Sequence, residues 1–147
     1  MKNLKYPLLY KGFTDSDKKI AIDIVKSGQI TMSKITQKFE KDFAKKIGSK
    51  YALMVNSGSS ANLLAAFAST NPMRNNRFIP GQEFLIPAVC WPTSLWPFVQ
   101  AGLKPVFVDI DLETLNINID DLKKKITSKT KVIVLVHVLG LCSKLEE

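Results

Sequence analysis

Arginine is nearly missing from this chain. Of 21 basic side chains only two, Arg74 and Arg77, are guanidinium groups, and the lysines that make up the rest are scattered along amphipathic segments. A formal net charge of +8 invites a nucleic-acid interface, but such interfaces lean on the bidentate arginine fork. A solvated lysine-rich surface fits the pattern better, so nucleic acid ranks last among partners. Histidine occurs once, at His137, and cysteine twice, at Cys90 and Cys142, in apolar surroundings without CxxC spacing. This excludes a His/Cys metal cluster and a disulfide framework, and predicts reduced thiols in a cytoplasmic protein. The opening "MKNLKYPLLYKGF" lacks the unbroken apolar stretch of a signal peptide, and the longest apolar run, "VIVLVHVLGLC", is too short to span a bilayer. No membrane partner is expected. Neither GxGxxG nor GxxxxGK[ST] occurs, which removes the two common nucleotide-loop signatures.

What is present is a globular composition, 46% hydrophobic and 23% charged over 147 residues, enough for one modest core. Residues 1–13 read as irregular. "TDSDKKIAIDIVKSG" then carries acidic and hydroxyl residues at its start, apolar residues at helical spacing, and Gly28 at its end. "MSKITQKFEKDFAKKIG" places Ile35, Phe39 and Phe43 on one face, with Gly48 as its stop. From Lys50 onward strand and helix alternate. "YALMV", "EFLIP", "KPVFVD" and "KVIVLVHV" are the expected strands, and the intervening helices lie near "SSANLLAAFAS", "TSLWPFVQAG" and "DDLKKKI". The alternation predicts βαβ units and a mostly parallel sheet. Tyr51–Val55 and Val132–Val138 are apolar throughout, as in strands covered on both faces, so the chain reads as part of a larger sheet than 147 residues can supply.

Open parallel sheets bind ligands at the carboxyl ends of their strands. The first such end, "NSGSS", offers Gly58 for a tight turn and close backbone approach, with Ser59 or Ser60 to cap the helix and present hydroxyl and N–H groups to an anion such as a phosphate monoester. The same residues also serve as ordinary helix caps. The second, "PAVCWPTS", sets Trp91 in a turn ahead of a helix starting near Thr93 or Ser94, with Pro97 in its first turn. The indole can stack on a planar heterocycle or lie as a lid over core residues. At the third, Asp109 and Asp111 project the same way from a strand, but no further carboxylate or histidine supports them, and a solvated strand end entering a turn is the better reading. His137, inside an apolar run, reads as a satisfied core histidine.

Taken together, "SGQITMSKITQKFEKDFAKKIGSKYALMVNSGSSANLL", "GQEFLIPAVCWPTSLWPFVQAGLKPVFVDIDLETLNIN" and "KTKVIVLVHVLG" closely resemble the N-terminal part of the DegT/DnrJ family. Its members are pyridoxal-phosphate-dependent enzymes acting on nucleotide-linked keto-sugars, built on the aspartate aminotransferase fold. The resemblance implies an α/β chain carrying the N-terminal portion of that fold. Residues 1–49 would form an irregular segment and helices, and 50–147 the first part of the cofactor-binding large domain. It implies that Gly58, Ser59 and Ser60 hold the phosphate of pyridoxal 5'-phosphate or pyridoxamine phosphate, and that Trp91 stacks on the pyridine. "VNSGSSANLL" and "PAVCWPTS" look most like the branch of lipopolysaccharide sugar enzymes and deoxysugar dehydrases, part of which replaces the cofactor-linking lysine by histidine and removes the C3 hydroxyl.

The aspartate that meets the ring nitrogen, and the lysine or histidine at the reaction centre, fall in the family beyond the point where this sequence stops. No catalytic residue is therefore carried over. The expectation is an N-terminal fragment, inactive alone. The complete enzyme would use a nucleotide-linked keto-sugar and an amino donor and form a homodimer. The alternative is a non-catalytic phosphate-binding half-domain, or a partner of a complementary chain.

Overall fold

The computed structural model describes residues 12–31 and 33–146. The expected irregular opening at 1–13 lies almost wholly outside the described residues. The chain divides into two compact units, Met1–Met54 and Val55–Glu147.

The first unit is built on two helices. Helix α1 (Asp15–Ser27) starts on a reciprocal cap, in which Thr14 Oγ1 accepts from Asp17 N–H and Thr14 N–H donates to the Asp17 carboxylate at 2.8 Å. Helix α2 (Lys34–Ile47) is capped by Ser33. Both end on a glycine in the left-handed region, Gly28 at φ 70° and Gly48 at φ 72°, where a Cβ would be strained. On α2 the predicted stripe is real: Phe39 and Phe43 stack with ring centroids 5.7 Å apart. Only Ala44 of this helix is buried. Beyond it the Met54 N–H donates to Glu40 Oε1 at 2.8 Å.

The second unit holds the sheet. Its elements are helix α3 (Gly58–Thr70), strand β1 (Glu83–Pro87), helix α4 (Pro92–Gln100), strand β2 (Lys104–Val108), helix α5 (Ile119–Lys125) and strand β3 (Thr130–Ile133). The three strands pair in parallel in the order β2-β1-β3. Strand β1 is central, and its alternating side chains feed two cores. Phe84 and Ile86 join Leu103 on the face packed by Leu95, Phe98 and Val99 of α4, while Leu85 joins Val108, Ile117 and Leu122 on the α5 face. Phe84, Leu85, Ile86 and Val108 are fully buried, each worth about 1.5–3 kcal/mol of apolar burial. The register Phe84↔Pro105 through Pro87↔Val108 brings the carboxyl ends of β1 and β2 level.

Two expected strands differ. Tyr51–Val55 makes no ladder, and Tyr51 and Leu53 are largely exposed. A strand is a property of a pair, and among the described residues no neighbouring edge hydrogen-bonds to this stretch. Strand β3 stops at Ile133, although Val134 N–H still reaches Leu85 O at 2.8 Å. The chain then turns at Val138–Gly140, where Leu139 (φ 51°) and Gly140 (φ 88°) both enter the left-handed region.

Candidate functional site

The candidate ligand-binding residues lie within the second unit, around the starts of α3 and α4. The cap of α3 is Ser57, whose Oγ accepts the Ser60 N–H at 3.2 Å and donates to Ser60 Oγ at 3.2 Å. This corrects the expectation that Ser59 or Ser60 supplies the cap. The consequence is chemical: Ser60 N–H is already engaged, whereas the Gly58 and Ser59 N–H groups, at the first two helical positions, have no acceptor within the helix. They form the positive end of the helix dipole. Gly58 does not adopt positive φ, and a Cβ added there would meet nothing within 4 Å. The fold therefore does not require glycine at this position, contrary to the tight-turn reading. The space it leaves open lies beside the unpaired amides.

Helix α4 begins earlier than the spacing predicts. Trp91 is its N-cap residue and Pro92 its first helical residue, so Pro97 sits inside the helix and not in the first turn. Pro92 is pre-set for that position, since its missing N–H is one the helix could not use. Trp91 makes no side-chain cap bond and is 72% exposed, which rules out the reading of a lid over the core. The two helix starts are tied by one cross-helix hydrogen bond, Asn62 Nδ2 to Thr93 O at 3.2 Å. Next to Trp91, burial pushes the Cys90 thiol upward in pKa and leaves it a poor nucleophile.

The third loop is structural. Asp111 Oδ1 accepts the N–H groups of Glu113 and Thr114, both at 2.9 Å, and these bonds, led by Thr114, hold its carboxyl below the usual range. Asp109 Oδ1 accepts the Ile110 N–H at 2.8 Å, so each of the two carboxylates is engaged by its own local backbone and nothing joins them as a pair for acid–base work. Among the described residues no group of three or more His, Cys, Asp or Glu side chains could hold a metal ion. His137 is exposed, which overturns the core reading, but its Nδ1 accepts the Ser143 N–H at 3.1 Å.

Sequence reasoning missed Asn116. Buried at 4% exposure, it donates through Nδ2 to the Leu141 carbonyl at 3.2 Å and accepts at Oδ1 from Val138 N–H and Ser143 Oγ, fixing the segment after β3. The available signal was an asparagine between apolar positions in "LNIN", too common a pattern to single out.

The geometry defines a class first: an α/β protein with a central parallel sheet, an open helix start at α3 and an exposed indole in the turn after β1. Comparison with known proteins then places it. The chain belongs to the DegT/DnrJ/EryC1/StrS aminotransferase family, whose model matches residues 13–147. It is 42% identical over 147 residues to a GDP-4-keto-6-deoxy-D-mannose 3-dehydratase of Escherichia coli O55:H7, covering 98% of this chain and 37% of that protein. It is 40% identical over 121 residues to the lipopolysaccharide biosynthesis protein RfbH of Salmonella typhimurium, covering 82% of this chain and 28% of the other. The solved E. coli GDP-4-keto-6-deoxy-D-mannose-3-dehydratase with bound hydrated PLP superposes with a TM-score of 0.85 at 43% identity, over 92% of this chain and 34% of its own. The chain thus spans roughly a third of the length of the relatives it matches. Among the described residues no helix is long and apolar enough to cross a membrane.

Proposed function

We propose that this chain carries the cofactor-gripping residues of a pyridoxal-phosphate-dependent enzyme of nucleotide-linked deoxysugar biosynthesis, of the 3-dehydratase kind. In this reading residues 50–147 are the first part of the cofactor-binding large domain, and 1–49 precede it. The observation that carries it is the start of α3: two amides without helical acceptors, beside a glycine that the fold does not need. That donor set fits a phosphate monoester. Gly58 and Ser59 offer N–H groups, and Ser59 and Ser60 offer hydroxyls; charge-assisted bonds of this type are worth about 1.5–3 kcal/mol each.

Trp91 has its ring exposed and lies two residues from the Asn62–Thr93 tie, which suits it to cover one face of the pyridine. When bound, the cofactor supplies an electron sink for bond cleavage next to the sugar carbonyl. The residues of this chain anchor and orient it. The greater likeness to 3-dehydratases (42%) than to the GDP-perosamine synthase of Vibrio cholerae (30%) favours removal of a hydroxyl over amino transfer. A nucleotide-linked keto-sugar as substrate, an amino donor and a homodimeric assembly follow from the resemblance for the complete enzyme.

The test is binding of pyridoxamine phosphate, followed by tryptophan fluorescence. The amine form avoids the adventitious adducts that an aldehyde would make with so many lysines. Quenching is expected in the unaltered protein. In calorimetric titrations, which do not depend on the indole, Trp91→Ala should weaken pyridoxamine phosphate about twofold to tenfold, the range of one aromatic stack, and leave inorganic phosphate affinity unchanged. Absence of binding, or affinity indifferent to both Trp91 and Gly58, overturns the reading.

A further inference from the structure

Pro97 lies within α4, where its ring nitrogen has no proton to give to the carbonyl four residues earlier, that of Thr93. The helix alone therefore leaves the Thr93 carbonyl without its regular donor. The missing bond is supplied from outside: Asn62 Nδ2, one turn beyond Gly58 on α3, donates to Thr93 O at 3.2 Å. Both ends of this bond are half-buried. Four residues N-terminal to Asn62 is the glycine of the anion-ready helix start, and two residues N-terminal to Thr93 is the Trp91 ring.

We propose that Asn62 and Pro97 form a two-part latch, and that Asn62 is a positioning residue which sets the Trp91 indole at a fixed place relative to the Gly58–Ser60 cradle. Proline creates the vacant acceptor, and asparagine fills it across the helix pair. The acceptor is a backbone carbonyl in the first turn of α4, so the bond registers the whole start of that helix, Trp91 included, against α3. A ligand with both a phosphate and a ring must be met at both places at once and benefits from a fixed separation. A ligand consisting of phosphate alone does not. This inference rests on the binding reading above.

The experiment uses the full 147-residue chain with Trp96→Phe, which leaves Trp91 as the only fluorophore of its kind. Two probes are compared, pyridoxamine phosphate by direct quenching and inorganic phosphate by competition against it. Asn62→Ala should weaken pyridoxamine phosphate about threefold to tenfold with phosphate unchanged. Pro97→Ala, which returns an N–H to the Thr93 carbonyl within the helix, should produce the same selective loss, and the double variant should be no worse than either single change. Asn62→Leu, which keeps the volume and removes the donor, stands in if the alanine variant does not fold. Equal weakening of both probes shows that Asn62 serves only the fold of α3 and overturns the latch. So do additive losses, a silent Pro97→Ala, or no change at all; in each of these cases the binding reading stands. If the parent protein binds neither probe, the binding reading fails and the latch with it.

Discussion

On the proposed reading, Gly58, whose conformation any residue could adopt and whose Cβ would meet open space, is the residue whose substitution separates binding from folding. Gly28 and Gly48 are different, since both close helices in the left-handed region, and the fold accounts for them. Gly58→Val should accordingly leave the unfolding free energy within about 0.5 kcal/mol of the parent. The same change should weaken pyridoxamine phosphate and inorganic phosphate alike, by about tenfold or more, the cost of one charge-assisted hydrogen bond. Urea unfolding and the paired titrations together check this, and a large stability loss with affinity intact would assign Gly58 to the fold. The residue types around this position were legible in "NSGSS". The phase of the cap was not, because three serines offer the same hydroxyl and only the backbone path decides that Ser57, and not Ser59 or Ser60, turns inward on the first turn. Asn62 could not be read from the chain at all, since its meaning depends on a carbonyl 31 residues away that Pro97 leaves open.

Whole elements were readable where local signals and pairing agree. The strands "EFLIP" and "KPVFV" stand where the apolar runs placed them, and the helices of the first unit end at the glycines that predicted their stops. Tyr51–Val55 failed because apolar composition announces a strand without providing its neighbour. Helix α5 shows how a short element is held by charge. Asp121 is bound by the Asp109 N–H at 2.7 Å and by Lys125 Nζ at 2.7 Å, and the backbone bond comes first among the causes that hold its carboxyl below the usual range. A carboxylate with a lowered folded-state pKa stabilises the fold above the unfolded value, about 3.9, and that stability is lost as pH falls through the lowered one. Asp111 acts in the same sense through its turn amides. Asp121→Asn should therefore be less stable than the parent at pH 7, and the gap should be narrower at pH 3, below the unfolded value. Urea midpoints at the two pH values give the comparison, and a gap just as wide in acid would mean that the loss is steric and not electrostatic.

At the scale of the molecule, the sheet has two outer edges that are not equally protected. Lys104 N–H faces β1 by bonding to Gln82 O, so alternation turns Pro105 and Phe107 of β2 outward. Pro105 has no donor to offer there, and the Phe107 carbonyl is occupied by Lys125 Nζ at 2.8 Å. That edge is closed in the manner of natural edge strands. On β3, Val134 N–H faces β1, so Ile133 turns its backbone outward, and its side chain is 43% exposed. An apolar edge residue with a free ladder position is a template for another strand. The 147-residue chain in isolation should therefore self-associate with rising concentration, through β3 and not β2. Ile133→Pro removes the outward donor without touching the bonds to β1, so it should lower the weight-average sedimentation coefficient at high concentration while keeping the far-ultraviolet dichroism. Phe107→Pro, on the edge already blocked, should change association little. A parent protein that sediments as a monomer at every concentration, or an Ile133→Pro variant that associates as strongly as the parent, would show that the β3 edge is covered in solution by something other than a second strand.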